Sequence, residues 1–144
     1  MKFSLNIDKN REEEVIIYAH ESRPVFKEIE RMLLNAECNL IGYESDSMIV
    51  LPLSDTACFV SQNDKVFALV DSHKYLVKKR LYQIAELLDR NYIKLNQSCI
   101  ANIRQISKFT VSLDGSLEVV FRNGYRDYVS RRELKNVKER MGII

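Results

Sequence analysis

No apolar run in the 144 residues approaches the roughly 18 that a membrane helix needs. The start, Met1-Lys2-Phe3-Ser4-Leu5-Asn6-Ile7-Asp8, alternates like a strand, whereas a signal peptide would need a longer apolar run. There are three cysteines, Cys38, Cys58 and Cys99, an odd number without C-x-x-C spacing. That argues against a disulfide framework and against zinc. Each is flanked by apolar or strand-type residues, which suits a small buried thiol. The two histidines, His20 and His73, lie far apart without metal-ligand spacing. The chain has no Walker loop, no G-x-G-x-x-G and no G-x-S-x-G. Glu12-Glu13-Glu14 reads as a solvated charge run rather than a metal site. Internal repeats, low-complexity tracts and Gly/Ser-rich or Pro-rich linkers are absent too. Little enzyme chemistry is left, and no small-molecule substrate or cofactor is indicated. The expectation is a cytoplasmic, soluble protein of about one domain in length.

What is present is a divided charge. Residues 1–73 hold 7 Lys+Arg against 13 Asp+Glu, a net of −6, and residues 74–144 hold 15 against 7, a net of +8. The whole-chain value of +2 hides this. A concentrated positive excess is the electrostatic footprint of a phosphate-backbone binder. A solvated basic surface would carry the same charge without a partner.

Hydrophobic patterning divides the chain near residue 50. Residues 1–50 read as a small α/β unit. Phe3, Leu5 and Ile7 alternate, Glu14–Ala19 is a second strand candidate, and Ser22 with Pro24 can open a helix. Val25, Phe26, Ile29, Met32, Leu33 and Ala36 fall on one helical face. Residues 39–43 and 48–51 read as strands around the polar turn 44–47, and Pro52 marks a boundary.

Residues 51–144 read as mainly antiparallel β with short helices, so the fold class is α+β. Thr56–Val60 and Lys65–Val70 form a hairpin around residues 61–64, followed by a strand at Tyr75–Lys78. Leu81, Ile84, Ala85, Leu87 and Leu88 give a short amphipathic helix. Ile106–Leu113 and Ser116–Arg122 form a hairpin. A three-residue loop pairing Leu113 with Leu117, Val111 with Val119 and Phe109 with Phe121 collects all six on one face. Gly115 is then expected at positive φ. Asn123-Gly124 makes a further turn into Tyr125–Val129. Ser130-Arg131-Arg132-Glu133 fits the capping box S-x-x-E. Leu134, Val137 and Met141 continue a helix that Gly142 can close.

Two stretches set hydrogen-bonding side chains among strand-forming residues, and both look like surfaces for a polyanion. In the first, Tyr92 to Ile103, Lys94, Asn96, Gln97 and Ser98 offer donors to phosphate oxygens. Asn102 has two readings there. It can end a strand and cap a turn, or its amide can both donate to and accept from a base edge. Arg104 adds a cation beside it. In the second, Ser130 is at once a cap and the mouth of a helix N-terminus that suits an anion. Arg131 and Arg132 in that first turn oppose the helix dipole, so they serve something outside the fold.

With these motifs the chain resembles the LytTR family of bacterial DNA-binding domains. The matching residues are Tyr92-Ile93-Lys94-Leu95-Asn96-Gln97-Ser98-Cys99-Ile100-Ala101-Asn102-Ile103, then the turns Asp114-Gly115 and Asn123-Gly124, then Val129-Ser130-Arg131-Arg132 before a closing helix. The resemblance covers about residues 51–144. Lys94 stands where the family usually has Arg, and Asn96 where it has His or Ser. Lys cannot make a bidentate fork, which points Lys94 to phosphate. Residues 1–50 are too short for a receiver domain and lack its acidic pocket. They resemble the N-terminal part of compact, receiver-less members, which are often encoded beside a small integral membrane protein that restrains them.

The resemblance implies a bacterial transcription regulator that reads the major groove of double-stranded DNA through loops, as a homodimer. Carried over by position, the base-reading candidates are Asp64 or Lys65, Asn102 and Arg132. A carboxylate at Asp64 could accept from cytosine N4 but is repelled by phosphates. Residues 1–50 become the interaction or dimerisation part, and 51–144 the DNA-binding part. Two other readings stay open. One is a protein-interaction module whose basic face meets an acidic partner. The other is RNA binding, which usually needs exposed aromatics that Phe109 and Phe121 do not supply.

Overall fold

The computed structural model describes residues 1–34 and 39–143. Residues 1–23 form neither helix nor strand, so the two strands expected at Phe3–Ile7 and Glu14–Ala19 are not formed. The reason is that an alternating segment needs a neighbouring ladder and a face to bury. In the single chain the segment lies against neither: Phe3, Leu5 and Ile7 are 90%, 76% and 87% exposed. Helix α1, Pro24–Leu34, starts where Pro24 predicts. Its apolar stripe stays partly in solvent, with Val25, Met32 and Leu33 exposed. Ala36 and Cys38 lie outside the described residues.

Ten strands and two further helices follow in the order β1 Ile41–Glu44, β2 Ser47–Val50, β3 Thr56–Gln62, β4 Lys65–Val70, β5 His73–Val77, α2 Leu81–Leu87, β6 Tyr92–Asn96, β7 Cys99–Asn102, β8 Ile106–Val111, β9 Leu117–Phe121, β10 Arg126–Val129 and α3 Arg131–Met141. Seven strands make one sheet in the order β2-β1-β5-β4-β3-β7-β6, and three make a second in the order β10-β9-β8. Every pairing is antiparallel. This is the α+β class expected.

Alternation along the strands explains the layering. From β3, β6 and β7, Cys58, Val60, Ile93, Leu95, Cys99 and Ala101 point to one face. There they are covered by Leu117, Val119 and Phe121 of β9, Val129 of β10 and Val137 of α3. Phe59, Tyr92 and Ile100 point to the other face, where Ile84 of α2 and Leu88 join them. β3 is thus buried on both faces, which is why it reads as an unbroken apolar run. Leu40 and Leu51 enter this second core, so β1 and β2 are part of the large sheet. Gly42 is required there: a Cβ would meet Leu51 Cδ2 and Tyr75 Cβ, each at 2.7 Å.

The β8–β9 hairpin departs from the expected register. Val111 pairs with Leu117 and Phe109 with Val119, a slip of two residues that keeps the faces but changes the partners. The Ser112 N–H donates to the Ser116 carbonyl at 2.9 Å. The three-residue loop is therefore Leu113-Asp114-Gly115, with Gly115 at φ 83° as expected. Asp114 decides this. Its carboxylate accepts from the Ser116 N–H at 3.0 Å and from its hydroxyl at 2.7 Å, closing a local turn. Leu113 is left fully in solvent and Val111 is 65% exposed. A register chosen to bury the most apolar residues counted two that the second sheet is too short to cover.

Candidate nucleic-acid interface

Two turns and a helix N-terminus, far apart in sequence, meet at one end of the large sheet. The first joins β3 to β4. Gln62 pairs with Lys65, and the two residues between them, Asn63 and Asp64, both take positive φ, 51° and 62°. That is the conformation of a type I′ turn, and Asn and Asp tolerate it best after glycine. The side chains of Asp64 and Lys65 are exposed.

The second turn, Gln97-Ser98, joins β6 to β7. The Ser98 carbonyl accepts from the Ser61 N–H at 2.8 Å, which ties this turn to the first. Asn96 holds it from behind. Its Oδ1 accepts from the Ser98 N–H at 2.8 Å. Its Nδ2 donates to Asp127 Oδ1 at 2.9 Å and to the Tyr128 carbonyl at 2.8 Å. Asn96 is 4% exposed. Its expected role at phosphate is therefore corrected: both amide groups are used inside the protein. Gln97 and Ser98 are exposed.

The third element is the α3 N-terminus. The Ser130 N–H donates to the Leu95 carbonyl at 2.9 Å, seating the helix against β6. Ser130 Oγ accepts from the Glu133 N–H at 3.4 Å. Only this half of the expected capping box forms, because the Ser130 N–H is already committed to Leu95. Arg131 and Arg132 follow, both exposed. The Asp114 carboxyl is held below its ordinary range, first by the two Ser116 hydrogen bonds and further by the field of Arg131.

The remaining candidates lie elsewhere. Asn102 is at the far end of β7, four positions on from Ser98 and about 13 Å away at the rise of an extended strand. It is 1% exposed. Its Nδ2 donates to the Thr56 carbonyl at 3.0 Å and those of Leu53 and Ser54 at 3.3 Å. Its Oδ1 accepts from the Arg104 N–H at 3.0 Å. The amide caps the short turn Ile103–Gln105 and has nothing left for a base edge, so the base-reading role given to Asn102 is corrected. Arg104 is exposed at that distant end. Lys94 is exposed on β6, on the α2 side of the sheet. It borders a shallow hollow with Arg90 and Arg140. Arg140 is pinned there by donation to the Tyr92 carbonyl at 3.1 Å and to the Arg90 carbonyl.

Asp127 is the residue that sequence reasoning missed. It accepts from Asn96, from its neighbour's N–H at Tyr128 (2.8 Å) and from the Tyr125 hydroxyl at 3.0 Å. A carboxylate in a short strand next to Val-Ser-Arg-Arg was its only sequence signal. Cys58 and Cys99 are buried free thiols. Cys99 is pushed well up, first by its hydrogen bond with Cys58 and then by burial, so it stays a protonated thiol. Among the described residues no group of His, Cys, Asp or Glu is placed to hold a metal ion. No helix among them is long and apolar enough to cross a membrane.

Comparison with known proteins bears on the family and the fold. Residues 46–142 match the family described as LytTr DNA-binding domain. A relative from Staphylococcus aureus strain NCTC 8325, called an uncharacterized HTH-type transcriptional regulator, is 30% identical over 99% of both chains. A relative of the same description from strain MRSA252 matches equally, at 30% identity over 99% of both. Those names mention a helix-turn-helix. Among the described residues strands separate α1, α2 and α3 from one another, and no two of them follow in succession. A solved LytTr DNA-binding domain from Bacillus cereus shares the fold. Its TM-score is 0.67 at 19% identity, covering 72% of this chain and 97% of that one. The chain belongs to the LytTr DNA-binding domain family.

Proposed function

We propose that this protein is a transcription regulator that binds double-stranded DNA sequence-specifically, through the end of the molecule where the turns 63–65 and 97–98 meet the α3 N-terminus. The observation that carries the reading is the convergence itself. Exposed Lys65, Gln97, Ser98, Arg131 and Arg132 sit on backbone tied together by the Ser61–Ser98, Asn96–Asp127 and Ser130–Leu95 hydrogen bonds. Rigid backbone with free polar tips suits recognition, because little order must be gained on binding.

The chemistry divides by residue type. Arg132 can fork onto guanine O6 and N7, and the Gln97 amide can pair with adenine N6 and N7. Gln97 takes the part that Asn102 cannot play. Lys65, Ser98 and Arg131 suit phosphate oxygens, and the α3 N-terminus adds its partial positive charge. Asp64 lies at the tip of its turn, where it would exclude bases that offer only acceptors. Lys94 and Arg104, away from this end, contribute to the general positive field.

The protein acts in the cytoplasm as a homodimer on two half-sites about one helical turn apart. Residues 51–144 carry the DNA face. Residues 1–50 carry assembly and the restraint by a small integral membrane protein that the family resemblance implies. Selection of bound duplexes from a random pool tests the reading. A recovered repeated motif, bound more tightly than random duplex, is expected. Recovery of no motif, with equal binding to an acidic polypeptide, would replace it with the protein-interaction reading.

A further inference from the structure

The large sheet is covered unevenly. On the face that β9, β10 and α3 bury, one row of side chains runs outward across the strands. It passes from Val60 through Phe67, Leu76 and Tyr43 to Met48. Val60 is 2% exposed at the covered end, whereas Met48 is 69% exposed and Val50 beside it 58%. What lies over the outer part are two ammonium groups. Lys74 Nζ is 4.2 Å from the Phe67 ring centroid and Lys78 Nζ is 4.3 Å from that of Tyr43. Among the described residues β2 ends the sheet and pairs on one side only, with β1. Its sequence, Ser-Met-Ile-Val, has no charge to blunt an open edge, which natural edge strands usually carry.

The same chain holds strand material without a sheet. Phe3, Leu5 and Ile7 alternate with Lys2, Ser4, Asn6 and Asp8, and all three apolar side chains are in solvent. Laid antiparallel beside β2, this segment would continue the row past Met48 and Val50 and turn its polar residues outward. The segment that follows is acidic, with four Asp+Glu against two Lys+Arg over residues 9–21, and the face it would approach carries Lys74 and Lys78. Among the described residues of the single chain the segment and the edge stay apart, neither with a strand partner on its open side.

We infer that residues 2–8 of one chain pair with β2 of a second copy, and that the exchange is reciprocal about a two-fold axis. The inference rests on the homodimer reading above and specifies its interface. Reciprocity doubles every contact, so one short strand per chain supplies two ladders and two apolar rows.

Light scattering of the full chain, followed by cross-linking, tests this. A dimer is expected. Leu5→Lys and Met48→Lys should each weaken self-association at least tenfold with an unchanged circular dichroism spectrum, since both side chains are exposed in the single chain. Mixing a Leu5→Cys chain with a Met48→Cys chain should give a covalent heterodimer whose linked peptides contain those two positions. A dimer indifferent to both lysines would overturn strand exchange while leaving the homodimer intact. Cross-linking only inside a chain carrying both cysteines would assign the segment to its own edge and overturn the inference. A chain monomeric at all concentrations would overturn this and the homodimer together, leaving the DNA-binding reading to its own test.

Discussion

Asn96 Nδ2 and Asp127 Oδ1 meet at 2.9 Å behind the β6–β7 turn. This bond joins the large sheet to the strand that leads into α3. Removing the Asn96 amide leaves the Asp127 carboxylate one donor short and the Ser98 N–H without its acceptor. Asn96→Ala should therefore cost about 1–3 kcal/mol of stability. Urea denaturation measures it. An unchanged midpoint would mean that water replaces the amide without loss.

Gln97 and Asn102 are amides with opposite fates. Gln97→Ala should leave stability unchanged and cost about 1–3 kcal/mol on the selected operator, with much less loss on random duplex. Asn102→Ala should destabilise the fold, because the Thr56 carbonyl and the Arg104 N–H lose their partner. It should not discriminate between duplexes. Fluorescence anisotropy on both duplexes, beside a denaturation curve for each variant, separates the two. Equal loss on both duplexes for Gln97→Ala would make it a phosphate contact.

Arg132→Ala should weaken operator binding by about 1–3 kcal/mol and relax preference at one base pair. Lys65→Ala should weaken operator and random DNA alike and reduce the salt slope by about one. With about five phosphates neutralised, log K should fall against log salt with a slope near −4 to −5. A flat salt dependence would contradict the basic face.

Gly42 leaves no room for a side chain. Gly42→Ala places a methyl group 2.7 Å from Leu51 and from Tyr75, an overpacking expected to cost about 1–3 kcal/mol. Thermal melting reads the loss directly. A melting temperature equal to that of the parent would show that β1 can move away from β5 freely.

The Asp114 carboxyl is depressed by its Ser116 bonds. Its folded pKa lies below the unfolded value of about 3.9. The contribution to stability is present above that unfolded value and is lost as pH falls through the folded one. Ser116→Ala removes the hydroxyl bond and keeps the larger contribution of the Ser116 N–H, so the titration of Asp114, followed by nuclear magnetic resonance, should move only part of the way back toward the ordinary range.

The central strands were legible in the sequence because β3, β6 and β7 are buried by their own neighbours. Their apolar pattern is both the cause of the structure and its sign. The cap at Ser130 and the turn at Gly115 were legible for a similar reason, since each is a local hydrogen-bonding device. Phe3–Ile7 misled because alternation announces a strand without naming its partner. Leu113 misled because counting apolar residues assumes a covering layer of unlimited length. The candidate site was half legible. Lys65, Gln97, Arg131 and Arg132 gather at one end, whereas Asn96 and Asn102 present the same functional groups to the protein itself. An amide looks alike in sequence whether its partner is a base or a carbonyl, and only the burial of the strand beneath it decides.

The buried pair Cys58 and Cys99 gives the molecule an internal clock. Both are 0% exposed, so a thiol reagent reaches them only when the layer between the sheets opens. Their alkylation rate at rising denaturant therefore reports the opening free energy of that layer. DNA gripped by the turns above it should slow the reaction in proportion to how tightly the layer and the turns move as one.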